Sequence, residues 1–248
     1  MVTPNENQAI PVISSFEENI NVVYIDLFGF SAFLKNAESA NQSRPLVIYK
    51  RVDVILQKIV VFIKNSPYTI FASDSLFCCF SDEEAKTTSI LSDLAQILWQ
   101  FLVAGFTFSG GISRGRMQRK EKFLIGYPMV EAVRTQENQF LPRIAFAKPE
   151  SCFPWVNSKE VWQESGVSYF DYFQFLTTIP VSFSKIADLC AMLIDDADVK
   201  NLSYYVLAKY DDFLARLSLH LSQNETKRIS NQRNRIRALL GFGSTESE

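Results

Sequence analysis

Residues 21–35, NVVYIDLFGFSAFLK, constrain this chain more than any other stretch. The run VVYI predicts a buried strand, and the carboxylate of Asp26 ends it; a turn at Gly29 and the start of a helix at Ser31 follow. A carboxylate at the end of an apolar strand is costly unless it is paired or bound to a metal. The helix N-terminus offers backbone N–H groups to phosphate. The alternative interpretation is an aspartate that only caps the helix.

The residue counts exclude several kinds of site. The single histidine, His220, lies in an apolar helical pattern, which excludes a multi-histidine zinc centre and leaves a histidine-dependent nucleophile with only this residue. The formal net charge of −2 argues against a stable nucleic-acid complex. No apolar run is long enough to span a membrane. The four cysteines form no CxxC pair and no disulfide framework, which favours a reducing cytoplasm. Any chemistry must use carboxylates, arginines, lysines and a metal.

The periodicities predict an α+β fold. Residues 68–80, YTIFASDSLFCCF, predict a β-hairpin with Asp74 at its tip. The elements expected after it are a helix to about Val103, a strand at 105–115, a charged turn at 116–122, a strand at 123–125, a helix at 126–138 and a strand at 142–147. This order is close to a ferredoxin-like layout, in which helices cover one face of a mostly antiparallel sheet.

The chain is expected to divide into four segments around one core. Residues 148–180 are aromatic and irregular, and helices are expected at roughly 181–196, 202–222 and 225–240. The segments are a flexible N-terminal arm at 1–18, a catalytic core at 19–147, an aromatic and helical extension packed on the core at 148–240, and a disordered tail at 241–248.

Asp26 and Asp74 can meet in such a sheet. The first strand of a ferredoxin-like sheet lies beside the hairpin, so that the two carboxylates would face each other. Two close acids repel, and a pair of Mg²⁺ or Mn²⁺ ions between them removes that repulsion. The alternative is two unrelated turn aspartates.

Four motifs, in this order, resemble those of class III nucleotidyl cyclases. Residues 26–31, DLFGFS, are similar to the first metal motif, and residues 73–75, SDS, to the second. Residues 110–115, GGISRG, resemble the glycine-bearing strand after the long helix. Residues 126–134, GYPMVEAVR, resemble the dimerisation arm and its helix. The resemblance covers roughly residues 20–147.

The resemblance implies an enzyme that converts a nucleoside triphosphate to its 3′,5′-cyclic monophosphate and pyrophosphate. Asp26 and Asp74 would bind two Mg²⁺ or Mn²⁺ ions, with backbone of Leu27 as a further ligand. Arg134 would stabilise the transition state. The active sites would be shared between two head-to-tail chains of a homodimer. The phosphate-binding residues would be Phe28, Gly29, Phe30, Ser31 and Arg114.

The base pocket departs from the family pattern. Val130 occupies the position of an asparagine that orients the ribose, and Ile70 that of a lysine that reads adenine. Phe123 occupies the second purine-reading position, and Tyr68 offers a hydroxyl near the same pocket. Without the usual polar partners, the pocket would not distinguish adenine or guanine in the usual way.

These departures, with the run IGYPMVEA and the segment Pro142-Arg143-Ile144, resemble the bacterial pyrimidine cyclases of the Pycsar anti-phage system. That resemblance implies cyclic UMP or cyclic CMP as the product and an antiviral signalling role. UTP is expected before CTP because neither Ile70 nor Phe123 is an acid that could accept from the amine of cytosine, whereas hydroxyls such as that of Tyr68 could bind uracil. Three other hypotheses remain open: an inactive cyclase-like module that binds nucleotide as a sensor, a purine nucleotide cyclase, and a diguanylate-type or polymerase palm.

Overall fold

One sheet and four helices make up the described part of the chain. This computed structural model describes residues 16–28, 30, 53, 56, 57, 59, 60, 68–72, 74–81, 83–103, 106–120, 123–139, 142–148, 161–173, 204–220 and 223–241. The elements are β1 Phe16–Leu27, β2 Tyr68–Ala72, β3 Ser75–Phe80, α1 Glu84–Val103, β4 Phe108–Lys120, β5 Phe123–Ile125, α2 Tyr127–Glu137, β6 Ile144–Phe146, β7 Val161–Glu164, β8 Val167–Phe170, α3 Tyr204–Ser218 and α4 Gln223–Leu239. The expectations for the arm before residue 16, the turn at Gly29, the helix start at Ser31, the helix at 181–196 and the tail after residue 241 fall outside the described residues.

The strands form a single eight-stranded sheet in the order β2-β3-β1-β4-β6-β8-β7, and β5 pairs with β4 beside this path. The pair β4–β6 is parallel, and the other pairs are antiparallel. The prediction of an α+β fold with a mostly antiparallel sheet is therefore confirmed. None of the described helices is long and apolar enough to cross a membrane.

Alternation along β1 divides its side chains between two cores. Val23 and Ile25 belong to a large cluster that includes α1, whereas Val22 packs in a smaller cluster with Ala132 of α2. Helices therefore cover both faces of the sheet, and the expectation that they cover one face is wrong. The close approach of α2 has a local cause: a Cβ atom on Gly111 would clash with the carbonyl oxygen of Ala132.

Three boundaries differ from the predictions. β4 continues to Lys120 through the segment expected to be a charged turn, because Met117 is buried between polar neighbours and the strand pairs with β1 and β5. β1 already begins at Phe16, inside the predicted arm. β7 and β8 occupy part of the region expected to be irregular, and a turn with positive φ at Ser165 (51°) and Gly166 (80°) joins them.

A buried ion pair fastens the C-terminal helices to the sheet. The guanidinium of Arg143, just before β6, donates from Nε to Asp212 of α3 at 2.9 Å and also pairs with Glu164 of β7. The indole of Trp162 lies against Arg143 and Arg216, whose guanidinium carbons are 4.8 and 3.8 Å from its ring centre. The extension thus packs on the core through charge and aromatic stacking as well as apolar contact.

Replacing Arg143 is expected to destabilise the fold strongly. Arg143→Met leaves Asp212, whose side chain is only 12% exposed, as an unpaired buried charge, so the free energy of unfolding should fall by about 3–5 kcal/mol. Glu164→Gln is the matched control, since Glu164 is 49% exposed and its loss should cost less than about 1 kcal/mol. Urea denaturation measures both. Equal losses in the two variants would contradict this account of the ion pair.

Candidate active site

Asp26 lies at the end of β1, between two other strands of the sheet. In the sheet register it is opposite Ser75 of β3 on one side and Ser109 of β4 on the other. It follows Val22 and Tyr24 in strand alternation, so its side chain lies on the face that carries α2. The side chain is half-buried, and both facing residues are small and polar. The carboxylate therefore lies on the α2 face of the sheet, between two small polar residues and partly exposed to solvent.

Asp74 lies in the tight turn between β2 and β3, and backbone hydrogen bonds fix it beside Asp26. Its carbonyl oxygen accepts a hydrogen bond from the N–H of Leu27 at 2.8 Å. Because β1 and β3 are paired in register up to Asp26 and Ser75, the two aspartates occupy neighbouring positions at one edge of the sheet. The predicted hairpin with an acid at its tip is confirmed, and the two candidate metal ligands come together.

The hydroxyl group of Tyr24, two residues before Asp26, lies close enough to both aspartates to feel their charges. The Tyr24 Oη and Ser75 Oγ atoms are 3.1 Å apart and share a hydrogen bond, and the Tyr24 ring packs on Phe77 with centroids 4.6 Å apart. Burial raises the pKa of the Tyr24 phenol, the Ser75 hydrogen bond opposes this, and the charges of Asp26 and Asp74 raise it further. Both carboxylates therefore act on the same hydroxyl group.

Helix α2 adds a polar group to the floor of the site. Gln136 donates from Nε2 to the Oγ of the buried Ser109 at 2.7 Å, directly beside the position of Asp26 in the register. Neither Tyr24 nor Gln136 is among the site residues predicted from the sequence. The signal for Tyr24 was its place on the Asp26 face of a strand, whereas nothing local indicates that Gln136 reaches β4.

The donor set fits a small, hard cation. Among the described residues, no group of three or more His, Cys, Asp or Glu side chains is placed to hold a metal ion. Mg²⁺ sites that take one or two carboxylates and complete their coordination with water and substrate phosphates need fewer protein ligands. Asp26 and Asp74, with main-chain oxygens at the end of β1 beside them, suit that type of site.

The turn after β1 is anchored at both of its described residues. The N–H of Phe28 donates to the carbonyl oxygen of Thr107 at 2.8 Å, and the buried ring of Phe30 packs edge-on against Phe106, with centroids 5.3 Å apart. The Phe28 N–H is thus already engaged in the fold. Any backbone contact to phosphate from this turn has to come from the residues after Phe28.

Three other candidate residues lie away from the aspartate pair of the same chain. Arg134 is exposed on α2, whereas the buried Ala132 faces the sheet. Arg114 is opposite Asn21 in the register, about 16 Å along the strand from Asp26, and alternation directs it to the other face. Phe123 pairs with Lys120 near the far end of the sheet. A site that contains all of them would require a second chain.

The candidate base pocket is divided in the same way. Tyr68 is half-buried among the residues of the α2 face, and Ile70, 59% exposed, lies on that face of the edge strand β2. Both are therefore on the same side of the sheet as Asp26. The two residues form an apolar surface next to the aspartate pair. Phe123 of the same chain is far from that surface, near the other end of β4.

Comparison with known proteins gives structural likenesses at low identity. No family model matches the chain, and no curated protein matches it. The chain is similar to the catalytic core of a rhodopsin-guanylyl cyclase with converted specificity, solved in complex with ATPαS: the identity is 11%, the TM-score 0.42, and the match covers 63% of this chain and 96% of that one.

Two structures of a bacterial light-regulated adenylyl cyclase are also similar. Their identities are 18% and 17%, their TM-scores 0.38 and 0.39, and the matches cover 66% and 68% of this chain. The chain spans 57% and 59% of these two solved chains, which is less than two thirds of their length.

Proposed function

We propose that this protein is a nucleotide cyclase that converts a nucleoside triphosphate to its 3′,5′-cyclic monophosphate and pyrophosphate. The observation that carries the proposal is the meeting of Asp26 and Asp74 at one sheet edge, held by the hydrogen bond from Leu27 N–H to Asp74 O. The two aspartates are 48 residues apart in the chain. Because they lie side by side in the fold, they can bind the same divalent cations. The four motifs that resemble class III nucleotidyl cyclases support the same conclusion.

Different residues would bind the metal ions, bind the phosphates and stabilise the transition state. Asp26 and Asp74, with main-chain oxygen of Leu27, would hold the metal ions, and backbone groups of residues 29–31 would hold the β- and γ-phosphates. Mg²⁺ or Mn²⁺ bound there would lower the pKa of the ribose 3′-hydroxyl and neutralise charge on the triphosphate. Arg134 donates to the α-phosphate oxygens as charge develops on them. Arg114, which lies on the opposite face of the sheet, has no part in this division.

We propose that Arg134 serves the active site of a second chain in a homodimer. It is exposed on α2, two residues from both Ala132 and Gln136, which face the sheet, so it lies on the opposite side of the helix. Exposed apolar side chains accompany it: Tyr127 is 61% and Val130 45% exposed on the same stretch of helix, and Ile125 of β5 is 68% exposed. An exposed apolar surface around Arg134, an arginine that lies apart from the aspartates of its own chain, suits a two-fold interface with shared active sites.

The substrate proposed is a pyrimidine nucleotide, UTP before CTP. Ile70 provides apolar surface beside the site where a purine reader would need a polar group. The resemblance to the Pycsar enzymes supports this choice, together with a cytoplasmic, antiviral role in which the cyclic nucleotide is the signal. Val130 in place of the ribose-binding asparagine favours the second candidate, an inactive nucleotide-binding module.

Competition among the four nucleotides tests the proposed substrate. With equimolar ATP, GTP, CTP and UTP and Mn²⁺, cyclic UMP is expected to exceed cyclic AMP and cyclic GMP by roughly ten- to hundredfold, because one hydrogen bond to a base is worth about 1–3 kcal/mol. Mass spectrometry of the cyclic products gives the ratio. Predominant cyclic AMP or cyclic GMP would contradict the pyrimidine pocket, and predominant cyclic CMP would contradict only the order of the two pyrimidines.

A further inference from the structure

One hydroxyl pair beside the aspartates has no part in the function proposed above. Tyr24 and Ser75 come from neighbouring strands, and their oxygen atoms are 3.1 Å apart. Ser75 is directly opposite Asp26 in the register and directly follows Asp74 in the chain. Side chains opposite each other in an antiparallel pair lie within contact distance. The hydroxyl pair is therefore close to both aspartates, and the charges of both act on the Tyr24 phenol.

The packing around Tyr24 fixes its hydroxyl in this place. Its ring lies on Phe77 at 4.6 Å, and the strand position opposite it on β4 is Gly111, which has no side chain to compete for the space. The phenol and the serine hydroxyl share one hydrogen bond, so one hydroxyl proton of the pair remains for a further acceptor. Asp26 is opposite Ser75 in the register and Asp74 is its neighbour in the chain, and Glu137 of α2 is a third carboxylate whose charge acts on the Tyr24 phenol.

We propose that Tyr24 is a positioning residue, which acts through Ser75 to orient the carboxylates of Asp26 and Asp74 for divalent cations. The proposal rests on the metal site of the proposed function. A hydroxyl that donates to a ligating carboxylate fixes its rotamer and leaves its other lone pairs directed at the ion. It also screens the repulsion between the two acids before the cation arrives. Tyr24 itself need not touch substrate or metal.

The test is a titration of the full chain with Mn²⁺ alone, in which electron paramagnetic resonance measures free Mn²⁺. Asp26→Asn defines the signal that belongs to this site. Tyr24→Phe keeps the ring and removes the oxygen, and Ser75→Ala removes its partner. Each is expected to weaken Mn²⁺ binding by about 10- to 100-fold, the usual effect of losing an outer hydrogen-bond partner of a ligand. The double variant should bind Mn²⁺ no more weakly than Ser75→Ala, since Tyr24 acts only through Ser75.

Tyr169→Phe is the matched control. Tyr169 is a buried tyrosine at the same level of the sheet as Tyr24. The register pairs Tyr24 with Gly111, Gly111 with Ala145, and Ala145 with Tyr169. It lies three strands, or about 14 Å, from Tyr24, so its hydroxyl should not affect the titration. Saturating Mn²⁺ should restore most of the kcat of Tyr24→Phe, because a positioning residue acts on metal affinity rather than on the chemical step.

The outcomes separate this inference from the proposed function. Binding by Tyr24→Phe within about twofold of wild type, or additive losses in the double variant, would overturn the role of Tyr24. Weak binding by Tyr24→Phe in a protein that binds Mn²⁺ through Asp26 but forms no cyclic nucleotide would support the inference and overturn the cyclase. Mn²⁺ binding by the wild type that Asp26→Asn does not change would overturn both.

Discussion

Asp26→Asn or Asp74→Asn should abolish turnover while the fold stays intact. Each removes half of the negative charge that holds the metal ions, and kcat is expected to fall by about a thousandfold or more. Their free energy of unfolding should stay within about 1 kcal/mol of wild type, because the loss of either acid also removes the repulsion between the two in the metal-free protein. Cyclic nucleotide formation and thermal denaturation, measured on the same samples, give the two quantities.

Asp93→Asn is the control for the charge change itself. Asp93 is half-buried on α1, where burial raises its pKa, and α1 packs on the face of the sheet opposite Asp26. The same substitution there should leave activity unchanged. Near-wild-type activity in Asp26→Asn or Asp74→Asn would refute the two-metal assignment. A large loss of stability in either variant would instead mean that the carboxylates are needed by the fold.

Mixing two inactive variants should restore activity if the site is shared. In a hybrid dimer of Asp26→Asn and Arg134→Ala, one site receives both lesions and the other receives neither. Random exchange at equal concentrations makes half of the dimers hybrids, each with one working site, so about a quarter of the wild-type activity should return. The rate of cyclic nucleotide formation before and after mixing measures this recovery.

The control for this mixture is Asp26→Asn with Asp74→Asn. Both aspartates belong to the same chain's half of a site, so every site in such a hybrid lacks one metal ligand and no activity should return. Native mass spectrometry of the mixtures shows whether subunits have exchanged. Exchanged dimers in which Asp26→Asn with Arg134→Ala recover no more activity than this control would contradict a shared site.

The elements that bring the aspartates together could be predicted from local sequence. The hairpin of residues 68–80 follows from its β-forming residues around SDS, and the strand that ends at Asp26 follows from its apolar run. The helix predicted at 126–138 is confirmed, since α2 runs from Tyr127 to Glu137. These features depend on neighbours in the chain, which pattern and propensity describe well.

Contacts between distant segments could not be predicted in the same way. The length of β4 depends on pairing with β1 and β5, so its charged residues at 116–120 suggested a turn when considered alone. The hydrogen bond from Gln136 to Ser109 depends on how closely α2 approaches Gly111. The ion pairs of Arg143 join residues 21 and 69 positions apart. Such contacts leave no periodic signal in the sequence.

Identification of the reaction products tests the central claim most directly. The wild-type protein and Asp26→Asn are incubated separately with each nucleoside triphosphate and Mn²⁺, and the products are identified by mass spectrometry. We expect equal amounts of a 3′,5′-cyclic monophosphate and pyrophosphate from the wild type, with UTP the best substrate, and neither product from Asp26→Asn. No consumption of any of the four nucleotides, or formation of diphosphate and phosphate or of a dinucleotide, would contradict the assignment of Asp26 and Asp74 to a cyclase site.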